Sequence, residues 1–243
     1  MKKWVLITGA GRGIGAATAK HLASLGYKVL INYRQDSASA ETLKENILSQ
    51  GGEAHTVQAD IADQSQVRRM FETIDQAYGQ LTHLVNNAGI LFAQCRFDDI
   101  EAERFRRILD TNVLGSFYCL QEAITRMESG SAIVNVSSLA AVTGSPFEYI
   151  DYAASKGALD TMTVGLAKEL AAKNIRVNGV RPGLIYTQMH ADGGEPDRVD
   201  RLANQIPLQR GGQPEEVAHA IAWLLSEEAS FVTGSFIDVA GGK

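Results

Sequence analysis

One short stretch near the start constrains this chain more than any other: Thr8-Gly9-Ala10-Gly11-Arg12-Gly13-Ile14-Gly15. It follows an apolar run, Val5-Leu6-Ile7, and opens a stretch with helical periodicity. Glycine lets a backbone turn sharply and brings its N–H groups close to a ligand without an intervening side chain. A helix that begins in such a turn aims its positive end at the same point, which suits a pyrophosphate. A tight strand-to-helix turn with no ligand is the plainer alternative. Four glycines in seven positions at the first strand–helix junction favour a dinucleotide.

The rest of the chain repeats that strand-then-helix order. Short runs rich in β-branched residues at 4–8, 28–33, 53–58, 83–86, 132–136, 176–181 and 236–239 predict strands. Helical patterns fill 13–25, 38–50, 64–78, 100–127, 151–173 and 214–226. Val5-Leu6-Ile7 and Ile133-Val134 are apolar without alternation, as parallel strands buried on both faces should be. The expected fold is α/β: one Rossmann-type, doubly wound parallel sheet with helices on both faces and right-handed crossovers. Gly26 is placed to end the first helix, and Pro214 with Glu215 and Glu216 to begin the last. No linker-like composition divides the chain, so residues 1–243 read as a single domain. The stretch 189–207 holds Gly193, Gly194, Pro196 and mixed charges, and reads as a mobile substrate lobe within it.

Composition narrows the function. Hydrophobic residues make up 45% of the 243, which excludes general disorder. A net charge of −5 gives no bulk basic field, so a nucleic-acid partner is not expected. No apolar window is long enough for a membrane helix, and the leader-like start at Met1-Lys2-Lys3 breaks at Thr8-Gly9. Cys95 and Cys119 read as two reduced thiols, which makes the cytoplasm the default location. His55, His83, His190 and Glu195 lack metal-ligand spacing, and His21 and His219 stand alone, so no metal is expected.

Two further features carry chemistry of their own. Many NAD sites place a carboxylate at the end of the second strand to accept from the ribose hydroxyl. Here that position is Tyr33, and Arg34 follows. Arg34, with Arg12 inside the glycine turn, can pair with a ribose 2′-phosphate, which favours NADP(H); Asp36 nearby keeps NAD(H) open. Tyr152 and Lys156 stand at i and i+4 of a predicted helix, hence on one face. An ammonium beside a phenol, together with a cationic nicotinamide, should lower the phenol's pKa from about 10 and fit it for proton exchange. Tyr149 shares that face, but its i+4 partner is Ala153, so Tyr152 is preferred.

The glycine turn reads as T-G-x-x-x-G-x-G through Thr8, Gly9, Gly13 and Gly15. With Asn86-Asn87-Ala88-Gly89, Val134-Asn135-Val136-Ser137-Ser138, Asp110-Thr111-Asn112, Tyr152-Ala153-Ala154-Ser155-Lys156 and Pro182-Gly183-Leu184-Ile185-Tyr186-Thr187, it resembles the short-chain dehydrogenase/reductase family along the whole chain. The resemblance implies hydride transfer between a nicotinamide and a carbonyl carbon. It implies Tyr152 as acid–base, Lys156 as its partner and ribose holder, Ser138 on the substrate oxygen and Asn112 holding a relay water. It assigns Asp60 and Ile61 to the adenine, although Asp60 or Asp63 could equally cap a helix. It places Asn86, Ala88 and Gly89 beside the cofactor, and Pro182, Gly183, Ile185 and Thr187 at the carboxamide. Gly11 and Ile14 complete the expected cofactor turn. The likeness is greatest to the branch of 3-oxoacyl-carrier-protein reductases and glucose-dehydrogenase-like enzymes. Ser129 and Lys173 stand where two carrier-docking arginines are common, with Arg126 near enough to compensate. The expected substrate is therefore a small carbonyl compound or alcohol: a 3-oxoacyl thioester, or a sugar or polyol. A non-catalytic cofactor-binding regulator is the remote alternative. The terminal segment 232–239 resembles that of homotetrameric members.

Overall fold

The computed structural model describes residues 3–243. Met1 and Lys2, which open the leader-like stretch, lie outside the described residues. Seven strands form one sheet: β1 (Trp4–Ile7), β2 (Lys28–Tyr33), β3 (Glu53–Gln58), β4 (His83–Asn86), β5 (Ala132–Val136), β6 (Arg176–Pro182) and β7 (Phe236–Val239). Their order is β3-β2-β1-β4-β5-β6-β7, with every neighbouring pair parallel. The helices are α1 (Gly13–Ser24), α2 (Ser37–Ser49), α3 (Gln64–Tyr78), α4 (Ala102–Leu109), α5 (Ser116–Ile124), α6 (Ala140–Thr143), α7 (Ile150–Leu170), α8 (Gln188–Asp192), α9 (Arg198–Leu202) and α10 (Pro214–Leu225).

Side-chain alternation along β1 shows why both faces are covered. Val5 and Ile7 join a core cluster with Leu22 of α1, Leu43 of α2 and Ile221 of α10. Trp4 and Leu6 point to the other face, among Phe71 of α3, Leu120 of α5 and Leu170 of α7. Each large apolar side chain buried this way contributes about 1.5–3 kcal/mol, which fixes the register of the whole layer. The expected helix ends are present. The Tyr27 N–H donates to the Leu22 carbonyl and the Gly26 N–H to that of Ala23, both at 3.0 Å, closing α1. At α10, Gln213 and Glu216 satisfy each other's backbone N–H groups ahead of Pro214.

Two expectations need correction. The helix expected over 100–127 is broken: a π-helical turn, Asp110–Gly115, separates α4 from α5. The turn is wide enough to bury Asn112 completely and aim its amide at the Ile90 backbone. The first strand stops at Ile7, because Thr8 already leads into the glycine turn. The stretch 189–207 contains α9 and parts of regular turns, and Val199, Leu202 and Ile206 pack with Leu184 as a small apolar cluster of their own.

The strand order reverses between β1 and β4, whose neighbours lie on opposite sides. A reversal of this kind opens a crevice at the carboxyl ends of the strands, where a ligand binds.

Candidate active site

A cleft of about 240 Å³ lies at that reversal, lined by Gly9, Arg12, Gly13 and Ile14 of the turn and by Arg34, Asp60, Ile61, Ala88 and Gly89. Gly9 has φ +61, and a Cβ there would stand 2.9 Å from the Ala88 Cα. At Gly15 a Cβ would meet the Asn87 Nδ2 at 2.6 Å, so α1 packs directly on the segment after β4. No side chain caps the start of α1. Its first N–H groups are thus left for a ligand, which is how the residues present fit a dinucleotide pyrophosphate.

Not every expected contact reaches this cleft. Thr8 is buried, and its hydroxyl accepts from the Asn87 and Ala88 N–H groups at 2.9 and 3.0 Å. It is a fastener between β1 and the segment after β4. Tyr33 packs against the core, Gly11 lies outside the lining beside Ser39, and Gly15 serves packing. Asn86 is also buried away from the cleft, donating to the Ser116 carbonyl and Asn135 Oδ1 at 3.2 Å. Asn87 faces the cleft instead, because side chains alternate at a strand end. Asn32 was missed: it accepts from the Gly9 N–H at 3.1 Å and donates to the Val57 and Ala59 carbonyls, fixing the turn from below. A buried polar residue in the middle of an apolar strand was the available signal.

Arg12 and Arg34 both line this cleft. Arg34 approaches Asp60 at 3.9 Å, and Arg12 pairs with Asp192. Asp36 caps α2, and hydrogen bonds from Ser39 hold its carboxyl below the usual range. Asp63 is the cap of α3, held down at about 2 by hydrogen bonds from Ser65 and Gln66. Asp60 is left on the cleft wall.

A second cavity, of about 380 Å³, is lined by Ser138, Tyr152 and Lys156 and by Pro182, Gly183 and Ile185. Ile14, Asn87, Thr187 and Met189 line both spaces, which therefore adjoin. Tyr152 and Lys156 are buried on α7. The Lys156 Nζ donates to the Val136 carbonyl at 2.8 Å and lies 5.6 Å from the centre of the Tyr152 ring. Burial pushes the phenol up to about 12, with the Ser138 hydroxyl pulling the other way. Burial also pushes the ammonium down to about 8, opposed by Asp160. The lowering expected from the sequence calls on a cationic nicotinamide as well as the ammonium; in the protein alone, removal from water dominates.

Asn112 accepts from the Ile90 N–H at 2.8 Å and donates to the Ile90 carbonyl and Ser155 Oγ, each at 3.0 Å. Its amide thus joins the segment after β4 to α7. Ser138 accepts from the Ala140 N–H at 3.1 Å, while Ser137 donates to the Lys156 carbonyl. Sequence reasoning also missed Asp151, fully buried and paired with Arg104 at 2.6 Å at the start of α7. Tyr149 and His190 line the same cavity as Tyr152. Among the described residues, no group of three His, Cys, Asp or Glu side chains is placed to hold a metal ion. No helix among them is long and apolar enough to cross a membrane.

A parallel sheet reversing at a glycine turn, beside a buried Tyr-Lys pair, defines a nicotinamide-dependent oxidoreductase in form. Comparison with known proteins gives the same class. A family model described as enoyl-(acyl carrier protein) reductase matches residues 9–243. An uncharacterized oxidoreductase of Escherichia coli K12 is 60% identical over 98% of each chain. A 3-oxoacyl-[acyl-carrier-protein] reductase of Staphylococcus aureus is 37% identical over 100% of this chain and 98% of the relative. The crystal structure of a short-chain dehydrogenase from Burkholderia cenocepacia in complex with NADP superposes with TM-score 0.91, at 35% identity, covering 99% of this chain and 97% of that one. The chain belongs to the short-chain dehydrogenase/reductase family, and it is an NAD(P)-dependent oxidoreductase acting on CH–OH or C=O groups.

Proposed function

We propose that the protein reduces a small carbonyl compound to a secondary alcohol with NADP(H), using Ser138, Tyr152, Lys156 and Asn112. The observation that carries this reading is the convergence of Ser138 with the buried Tyr152 and Lys156 on one cavity wall, adjoining the glycine-turn cleft. The bound nicotinamide supplies the hydride. Ser138 holds the substrate oxygen, and the Tyr152 hydroxyl gives it a proton in reduction or takes one in oxidation. Lys156 keeps a positive charge beside the phenol as it becomes phenolate and holds the nicotinamide ribose. Asn112, by fixing the Ile90 backbone and Ser155, keeps the proton path at Lys156 in shape. Arg12 and Arg34 support NADP(H): both stand at the adenosine end of the cleft, and the Burkholderia relative is in complex with NADP.

A 3-oxoacyl thioester is one substrate reading, on the strength of the Staphylococcus relative. The carrier-docking charge is weak, however. Arg126 is tied to Asp75 and Glu122 at 2.7 and 2.6 Å, and the Ser129 hydroxyl accepts from Asn174. A sugar or polyol is the second reading, favoured by two polar side chains, Tyr149 and His190, among those that line the cavity. We also take the enzyme to be a cytoplasmic homotetramer whose 189–207 lobe opens over the cavity; light scattering checks the assembly. The test of the reaction is NADPH oxidation with acetoacetyl-coenzyme A and a panel of small ketones and sugars, with Tyr152→Phe as blank. Tyrosine-dependent turnover is expected. NADPH binding without turnover of any of them leaves the regulator reading.

A further inference from the structure

Two buried polar atoms on the substrate cavity find no hydrogen-bond partner among the described residues: the Tyr149 hydroxyl and the His190 Nδ1. Both side chains line the cavity of about 380 Å³ that Tyr152 and Ser138 share, and the proposed proton chemistry uses neither. A buried polar atom left unpaired costs about 1–3 kcal/mol. Two of them on the wall of one binding cavity mark where a ligand supplies the missing partners.

Their chemistry says which ligand. The His190 Nε2 lies 3.1 Å from the Ile185 carbonyl oxygen, which can only accept, so Nε2 carries the proton. Burial, and then the charge of Arg198, lowers the His190 pKa and keeps the ring neutral. Nδ1 is therefore a bare lone pair that needs a donor. Tyr149 is only 5% exposed, and its ring lies under the Arg198 guanidinium at 5.1 Å. Arg198 is itself held by Glu148 at 2.5 Å and Glu195 at 3.2 Å, so the ring it covers is fixed in place. The Tyr149 hydroxyl both donates and accepts. An alkyl chain satisfies neither atom. A carbonyl or carboxylate oxygen accepts from Tyr149 but leaves Nδ1 bare. A hydroxyl satisfies both kinds of atom, giving a proton to Nδ1 and accepting from the phenol.

We propose that Tyr149 and His190 form a hydroxyl-recognising subsite, and that the substrate is a hydroxylated carbonyl compound or the corresponding polyol. The inference rests on the carbonyl-reductase reading and specifies its substrate. Sites that hydrogen-bond a substrate hydroxyl discriminate strongly against the analogue lacking it, since the buried partners are then left unpaired.

The test compares NADPH-dependent reduction of hydroxyacetone, 4-hydroxy-2-butanone and 5-hydroxy-2-pentanone with that of acetone, 2-butanone and 2-pentanone. The expected result is a kcat/KM for at least one hydroxyketone about tenfold or more above its matched alkanone. Tyr149→Phe should erase that preference, mainly through KM. His190→Leu should do the same, since it removes the ring acceptor and leaves no other acceptor in its place. Equal kcat/KM for every matched pair would overturn the subsite, as would a preference that survives both substitutions. If no ketone is turned over, ligand-observed NMR on the NADP⁺-loaded enzyme separates the two proposals. Hydroxyketone binding that exceeds alkanone binding and is lost in Tyr149→Phe upholds the subsite and removes the reductase reading. Equal binding overturns the subsite.

Discussion

At the scale of single residues, Tyr152 carries the proposed proton transfer. Its phenol stands at about 12 in the protein by itself, so a group that moves it toward neutrality has to arrive with the cofactor. The cationic oxidised nicotinamide is such a group, and Lys156 is held in place to add to it. Tyr152→Phe keeps the ring that packs in the cavity wall and removes only the proton. Turnover should fall by about 10²–10⁴-fold while the NADPH dissociation constant stays within about twofold, read by steady-state kinetics and cofactor fluorescence. Arg34 bears the cofactor choice. Arg34→Glu puts a carboxylate at the end of β2, and kcat/KM for NADPH should fall by about tenfold or more relative to NADH. The Tyr152–Lys156 pair was legible because the i, i+4 spacing fixes a helix face. Asn87 was not, because a pair of adjacent asparagines does not say which one faces the cleft until the strand end is located.

At the scale of elements, the placement of α7 depends on an ion pair that the sequence did not reveal. Asp151 has no exposed surface, and Arg104 of α4 reaches it at 2.6 Å while donating also to the Ala93 carbonyl. The pair joins α4, the start of α7 and the segment after β4, which are far apart in sequence. Removing one partner strands a charge in the interior, a loss of about 3–5 kcal/mol. Arg104→Met should therefore lower the unfolding free energy by about that amount in urea denaturation. Arg104→Met with Asp151→Asn should recover a large part of it. If the single and double variants unfold alike, the pair is not what holds α7. The π-helical turn at Asp110–Gly115 is a second feature of this kind. The periodicity of 100–127 is helical throughout, and one widened turn scarcely disturbs it. What forces the turn is tertiary: Asn112 must reach the Ile90 backbone and Ser155 at once. The strands were the most legible elements, because parallel strands covered on both faces need uninterrupted apolar runs, and little else in the chain supplies them.

At the scale of the whole molecule, the sheet buries one ionisable group whose neutrality couples folding to pH. His83 lies in β4 between β1 and β5, only 2% exposed, with its ring edge-on to Tyr27 at 5.3 Å. Burial, aided by the charges of Lys3 and Arg176, pushes its pKa down from 6.5 to about 3. In the unfolded chain the same imidazole takes up a proton near pH 6.5. Between these two values the unfolded chain therefore binds a proton that the folded one refuses. The stability tied to neutral His83 is complete above pH 6.5 and is lost as pH falls toward about 3. The slope is at most about 1.4 kcal/mol per pH unit, or roughly 2 kcal/mol between pH 6.5 and 5. The depressed carboxyls Asp63, Glu195 and Glu216, each at about 2, contribute only below the ordinary carboxylate range and so stay outside that window. His21 and His190 are lowered as well, but both remain in a His83 variant and cancel in the comparison. His83→Gln keeps a polar side chain in the same place without a titrating proton. Urea unfolding at pH 6.5 and pH 5 should show the native protein losing about 2 kcal/mol more than His83→Gln between the two. Equal losses would mean that His83 is protonated inside the folded sheet, and that the acid sensitivity of the fold lies elsewhere.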